Sequence, residues 1–130
     1  NNRDESLWFY TRGCAVEMTA RELSRFAVIL ANGGYDPLTG EQKVDAEVVR
    51  ITLTLLFTCG LYNGTGEFAV RIGLPAKSGV GGGILAAAHQ RFGIGAYGPS
   101  LDIYGNSIGA IKVLSELSEK LDWHTFAWNE

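Results

Sequence analysis

Gly79-Val80-Gly81-Gly82-Gly83-Ile84-Leu85-Ala86-Ala87-Ala88-His89-Gln90-Arg91-Phe92-Gly93-Ile94-Gly95-Ala96-Tyr97 is the stretch that decides the fold. It contains two short apolar runs, Gly79 to Ala88 and Phe92 to Tyr97, separated by the polar triplet His89-Gln90-Arg91. Runs of this length, free of charge and bounded by turn residues, suit strands of a sheet buried on one or both faces. We read them as two antiparallel strands with His89 to Arg91 as the hairpin, although periodicity alone leaves a short helix open. Glycine inside a strand costs entropy and packing, so the cluster at 79, 81, 82 and 83 points to a backbone or a ligand coming close.

Outward from this centre the pattern becomes helical. On the carboxy-terminal side a helix starts near Asn106 or Ser107 and is expected to bury Ile111, Leu114, Leu117 and Leu121, leaving Glu116, Glu119 and Lys120 in water. On the amino-terminal side, short apolar runs continue back to Glu67. Before Gly60 the chain reads as helices. Thr19-Ala20-Arg21-Glu22 is a capping box, followed by Leu23, Phe26, Ala27 and Leu30 at helical spacing and closed by Asn32-Gly33-Gly34. A loop from Tyr35 to Gln42 then leads to a helix capped by Asp45, with Val49, Leu53, Leu56 and Phe57 on its apolar face. The expected architecture is α+β in a single domain over residues 1–130: a helical part over 1–60, then antiparallel strands covered by a C-terminal helix over 61–130.

Composition narrows the function classes. Hydrophobic residues make up 46% of the 130 and charged residues 19%, which is the balance of a chain that buries a core. A net charge of -3, with no basic run, offers phosphate backbones no field, so nucleic acid is not an expected partner. The longest apolar stretch, Ile51 to Cys59, falls short of the roughly 20 residues that span a bilayer, so no membrane is expected either. Cys14 and Cys59 lack CxxC spacing and nearby histidines, which excludes a zinc reading and points to buried free thiols. No metal is expected. His89 and His124 have no ligand-type neighbours and read as exposed or satisfied, and Asn63-Gly64-Thr65 reads as a turn.

Gly73-Leu74-Pro75-Ala76-Lys77-Ser78-Gly79-Val80-Gly81-Gly82-Gly83-Ile84 surrounds a cation and a hydroxyl with glycines. Ile84 takes the place of the third glycine of a dinucleotide loop, and Lys77 precedes the glycines where a phosphate loop needs it after them. Lys77-Ser78-Gly79 resembles the lysine, hydroxyl, glycine triad of serine β-lactamases and penicillin-binding proteins. The wider set resembles one branch of that superfamily, the serine-dependent glutaminases. Its phrases occur in order: Tyr10 four residues before Cys14, Leu30 to Gly34, Pro37 to Glu41, Thr58-Cys59-Gly60-Leu61-Tyr62, Gly66 to Ala69, Gly73 to Ile84, and Gly105-Asn106-Ser107. Ala15, Asn63 and His89-Gln90 depart from the usual residues without touching these positions.

The resemblance implies a partial serine β-lactamase-like fold and hydrolysis of glutamine to glutamate and ammonia through a γ-glutamyl-serine intermediate, with no cofactor. It implies that Tyr62 stands beside the nucleophile, contacts substrate and passes protons. It implies that Tyr10 hydrogen-bonds the bound amino acid and that the Val80 amide forms half of an oxyanion hole. Lys77 and Ser78 would tune and orient the site, and Ser78, Gly79 and Val80 would line the substrate. A Ser-x-x-Lys nucleophile motif is also implied, yet none of Ser6, Ser24, Ser78, Ser100, Ser107, Ser115 or Ser118 has lysine three positions on. The chain therefore reads as the carboxy-terminal portion of such a domain, inactive alone. Rival readings are another acyl hydrolase of the same fold, a β-lactamase or peptidase, and a non-catalytic glutamate-binding or assembly module. The resemblance further implies a homo-oligomer, dimer or tetramer. Absent targeting signals imply a cytoplasmic location, with a mitochondrial one open for a eukaryotic source.

Overall fold

The central hairpin organises the molecule. A computed structural model describes residues 2–128. Strand β4 (Gly83–Ala88) pairs antiparallel with β5 (Phe92–Tyr97) in a register that sets Ala86 opposite Ile94, and β3 (Ala76–Ser78) adds to the other edge of β4. The order is β3-β4-β5. Side chains alternate across a strand, and β4 uses both faces: Ile84, Ala86 and Ala88 join one buried cluster, Leu85 and Ala87 another.

Two helices sandwich this sheet. On one face lies α2 (Ala20–Ala31), started by the Thr19–Glu22 capping box. Its approach is unusually close because β5 presents glycines: a Cβ on Gly93 would stand 2.1 Å from the Val28 nitrogen, and one on Gly95 2.2 Å from the Ala20 carbonyl oxygen. The face of α2 that meets the sheet is therefore built from small residues, Ala27 and Ala31, with Leu30. Phe26, expected in that stripe, lies on its flank and is exposed. On the opposite face lies α5 (Ile108–Leu121), capped by the Ser107 hydroxyl and buried through Ala110 and Leu114. Leu121, expected to be buried, is exposed at the end of the helix, where Asp122 turns left-handed.

The remaining elements flank this core. Helix α3 (Ala46–Cys59) is capped by Asp45 and buries Val49, while Leu53 and Leu56 pack only partly against the second cluster. The expected loop from Tyr35 to Gln42 contains a short ladder, β1 (Tyr35–Asp36) with β2 (Glu41–Gln42), and the buried Asp36 carboxylate meets Arg25 at 2.8 Å. Where apolar runs from Glu67 suggested only strands, Thr65–Arg71 forms helix α4, which buries Phe68. The strand expected from Gly79 starts at Gly83, because residues 79–82 form the turn out of β3. Gly82 N–H donates to the Gly79 carbonyl at 2.9 Å, with Gly82 at φ 96°. Both cysteines are free, but exposed rather than buried. Cys14 ends α1 (Arg3–Cys14), a helix that buries none of its residues, and Cys59 closes the last turn of α3 on its outer side. His124 is satisfied as expected: its Nε2 lies 3.2 Å from the Val70 carbonyl oxygen, and its Nδ1 accepts from the Phe126 N–H at 3.1 Å. No helix among the described residues is long and apolar enough to cross a membrane.

Candidate active site

The end of α3 meets the beginning of the sheet at Gly60. A Cβ there would stand 1.7 Å from the Ala76 carbonyl oxygen, so only glycine lets β3 lie against the helix end. The Ser78 N–H then donates to the Gly60 carbonyl at 3.2 Å. This junction fixes the two segments that carry the candidate residues, Leu61-Tyr62 and Lys77 to Val80.

Tyr62 has a left-handed backbone, φ 51°, which a bulky residue adopts only under constraint. Hydrogen bonds enclose it. The Leu61 N–H donates to the Thr65 hydroxyl oxygen at 2.9 Å, and that hydroxyl donates to the Tyr62 carbonyl at 2.8 Å. The Leu61 carbonyl accepts from the Asn106 side chain at 3.0 Å. The ring that results is 48% exposed, and the Lys77 ammonium lies 4.8 Å from its centroid. A cation over an aromatic face is attracted by the ring's negative quadrupole.

Strand β3 splits its side chains between the two faces of the sheet. Lys77 is paired with Leu85 and Ser78 with Ile84, and the two partners belong to different buried clusters. Ser78 faces inward, 3% exposed, with its hydroxyl 2.6 Å from Asn106 Oδ1. Lys77 is half-buried, and its ammonium donates to the Ser78 carbonyl. Burial holds the Lys77 ammonium below its ordinary pKa of 10.5, an effect partly opposed by the nearby Cys59 thiol in its ionised form. Val80 sits at the first corner of the turn after Gly79 and is 70% exposed. Among the described residues no acceptor takes its N–H. The Val80 side chain and the Tyr62 ring both come within 4.0 Å of the point where a side chain on Gly105 would begin.

Tyr62, Lys77, Ser78, Gly79 and Val80 thus form one neighbourhood. Beside it opens a cleft of about 870 Å³, lined by Lys77, Ser78, Gly79, Gly81, Gly83, Leu85, Tyr97 and Leu23 and, from the amino-terminal part, Gly13, Val16, Glu17 and Met18. Tyr10 is not brought into it; the phenol projects from α1 and is 69% exposed, and α1 reaches the cleft only through Gly13, on the same side of the helix. Sequence reasoning passed over Thr65 and Asn106 as individual residues. Asn106 reads in the sequence as a candidate start of the last helix and Thr65 as part of a turn, and those local roles hid the long-range bonds they make. Among the described residues no cluster of three or more histidine, cysteine or carboxylate side chains could hold a metal.

Comparison with known proteins gives a consistent result. The glutaminase family profile matches residues 1–126. Glutaminase 2 of Clostridium perfringens is 50% identical over 125 residues, which are 96% of this chain and 41% of that protein. A glutaminase of Clostridium botulinum strain Hall is also 50% identical, over 96% of this chain and 41% of its own length. A probable glutaminase from Bacillus subtilis complexed with 6-diazo-5-oxo-L-norleucine superposes with a TM-score of 0.90 at 37% identity, over 95% of this chain and 42% of that one. Mglu in its glutamate form gives 0.81 at 35% identity, over 87% of this chain and 26% of its own. The chain thus spans 41% of the length of the curated relatives it matches.

Proposed function

The chain belongs to the glutaminase family, and from that premise we propose that it is part of the catalytic domain of an enzyme converting L-glutamine and water to L-glutamate and ammonia. The observation that carries the reading is that the Lys77 ammonium lies over the Tyr62 ring while that ring and the Val80 side chain both border Gly105, which supports one site for the three residues.

The nucleophile in this reading is a serine outside the sequence, followed by lysine at the third position. The serine oxygen attacks the glutamine side-chain carbonyl, and the carbonyl oxygen becomes an oxyanion held by the Val80 N–H and the serine's own amide. The amide nitrogen takes up the proton given by the serine and leaves as ammonia, and water then attacks the γ-glutamyl ester, returning a proton to the serine oxygen as glutamate is released. Tyr62 relays protons in both halves, its phenol held beside the attacked carbon. Lys77, partly desolvated, sets a positive field that favours the developing oxyanion. Ser78 acts from beneath, orienting β3, and Gly79 keeps the approach to Val80 free of side chains. Tyr10 contacts the bound amino acid from α1, one helical turn from the cleft-lining Gly13. Glutamate and a glutamine-like diazoketone accompany two of the similar structures, which supports this substrate class. No cofactor enters the reading. We extend it to a single-domain placement of residues 1–130, a cytoplasmic enzyme and a homo-oligomer.

Ammonia release from L-glutamine by the whole protein is the test. Tyr62→Phe should lower turnover about a hundredfold or more, the scale of a lost general acid–base group. A Tyr62→Phe enzyme that turns over like the parent would remove the phenol from the reaction.

A further inference from the structure

Asn106 is 1% exposed and stands just before α5, but it does not cap that helix; Ser107 does. Its carboxamide instead ties together the two segments that carry the candidate residues. Nδ2 donates to the Leu61 carbonyl at 3.0 Å, and Oδ1 accepts from the Ser78 hydroxyl at 2.6 Å. The orientation is fixed, because a backbone carbonyl can only accept and must face the amide nitrogen. Gly64 leaves room for this reach: a Cβ there would stand 3.0 Å from Asn106 Nδ2. The Asn106 backbone is anchored in turn, its N–H donating to Asp102 at 2.9 Å.

A tyrosine at φ 51° stays there only while its surroundings over-determine it. Thr65 holds the Leu61 N–H and the Tyr62 carbonyl, and both belong to the same local turn. Asn106 ties this turn to β3 through its two side-chain hydrogen bonds, beside the Ser78 N–H and hydroxyl contacts to the Gly60 carbonyl. We infer that Asn106 is a positioning residue for the reaction proposed above: by gripping the Leu61 carbonyl and the Ser78 hydroxyl together, it keeps the Tyr62 phenol over Lys77 and beside the Val80 turn. A second consequence follows from the same geometry. The Ser78 hydroxyl faces inward, toward Asn106 Oδ1 and the Gly60 carbonyl, so it is committed as a donor within the fold.

The inference rests on the glutaminase reading and is tested so that the two can fail separately. In the whole protein, with active centres counted by reaction with 6-diazo-5-oxo-L-norleucine, Asn106→Ala should lower kcat per centre about tenfold to a hundredfold, the scale of a misplaced catalytic group. KM should change less than about threefold, since the residue acts through Tyr62 and not on bound substrate. In the Tyr62→Phe background the same substitution should cost less than about twofold further, because groups acting as a unit are non-additive. An unchanged kcat per centre, or an equal loss in both backgrounds, overturns the inference. Should Asn106→Ala not fold, Asn106→Asp keeps the volume and the acceptor for Ser78, replaces the donor to Leu61 by a carboxylate oxygen that repels that carbonyl, and is judged by the same outcomes. If the parent releases no ammonia, the glutaminase reading falls. The positioning role is then decided by the amide coupling constant of Tyr62, which reports φ: a change in Asn106→Asp sustains it, and no change overturns it.

Discussion

Replacing Val80 with proline removes one hydrogen atom from the proposed site and little else. Val80 occupies the first corner of the turn from Gly79 to Gly82, a position that suits the fixed φ of proline, and the preceding residue is glycine, the one most tolerant of a following proline. Its N–H has no acceptor among the described residues, so its loss breaks no internal hydrogen bond and stability should stay within about 0.5 kcal/mol. The cost falls on the transition state. Loss of one oxyanion donor is worth about 2.7–4 kcal/mol, or roughly a hundredfold to a thousandfold in kcat. Val80→Ala keeps the N–H and serves as the control, with turnover expected within about threefold of the parent and an unchanged melting curve. Stopped ammonia assays on the whole protein over a range of glutamine give kcat and KM for each. A Val80→Pro enzyme with parental kcat, or a Val80→Ala enzyme that loses as much, would refute the assignment of this amide.

Other consequences are equally direct. Gly60→Ala should destabilise by about 2–4 kcal/mol, since the new Cβ would sit 1.7 Å from the Ala76 carbonyl oxygen and push β3 off its bond to Gly60; helix propensity alone predicts a small gain, so urea unfolding separates the two. Leu114→Ala, at a fully buried side chain, should cost about 2–5 kcal/mol in the same assay. The Arg25 hydrogen bond holds the Asp36 carboxyl below its ordinary 3.8, so its stabilisation is complete above that pH and is lost as pH falls through the lowered value. Asp36→Asn should flatten this acid limb in thermal melts. Lys77 behaves oppositely: with its folded pKa below 10.5, the unfolded chain holds the extra proton between the two values and stability rises with pH across that window, a slope that Lys77→Met should abolish.

Much of the fold was legible because its signals are local. The capping box at Thr19, the Asp45 cap, the glycine stop at Gly60 and the strand Phe92–Tyr97 each rest on a few neighbouring residues. What escaped depends on partners distant in sequence. β3 is three residues long and exists because β4 and the end of α3 receive it. Helix α4 was hidden among glycines, and Phe26 lost its place in the core because Gly93 and Gly95 draw α2 too near for a ring. Of the glycines after Lys77, read as marking a close approach, Gly82 has one, its Cβ position lying 2.5 Å from the Gly98 carbonyl oxygen, whereas Gly79 and Gly81 face open space in the turn. The site was legible only through family resemblance, since nothing in the spacing of Tyr62 and Lys77 announces that they meet. Asn106 bonds to residues 28 and 45 positions away, a relation no window on the sequence contains.

β4 is a partition shared by two rooms. Its alanines at 86 and 87 are completely enclosed, one on each side, so their methyl groups set how far the helices on either side stand from the sheet. Neither side has slack to pass to the other, because thickening the partition at Ala86 presses on the α5 side and at Ala87 on the α2 side. Ala86 is also the residue opposite Ala76. A bulkier side chain there would travel through β3 and move the lysine one residue along, which makes a plain alanine, far from any reacting atom, one of the dimensions to which the reactive corner is built.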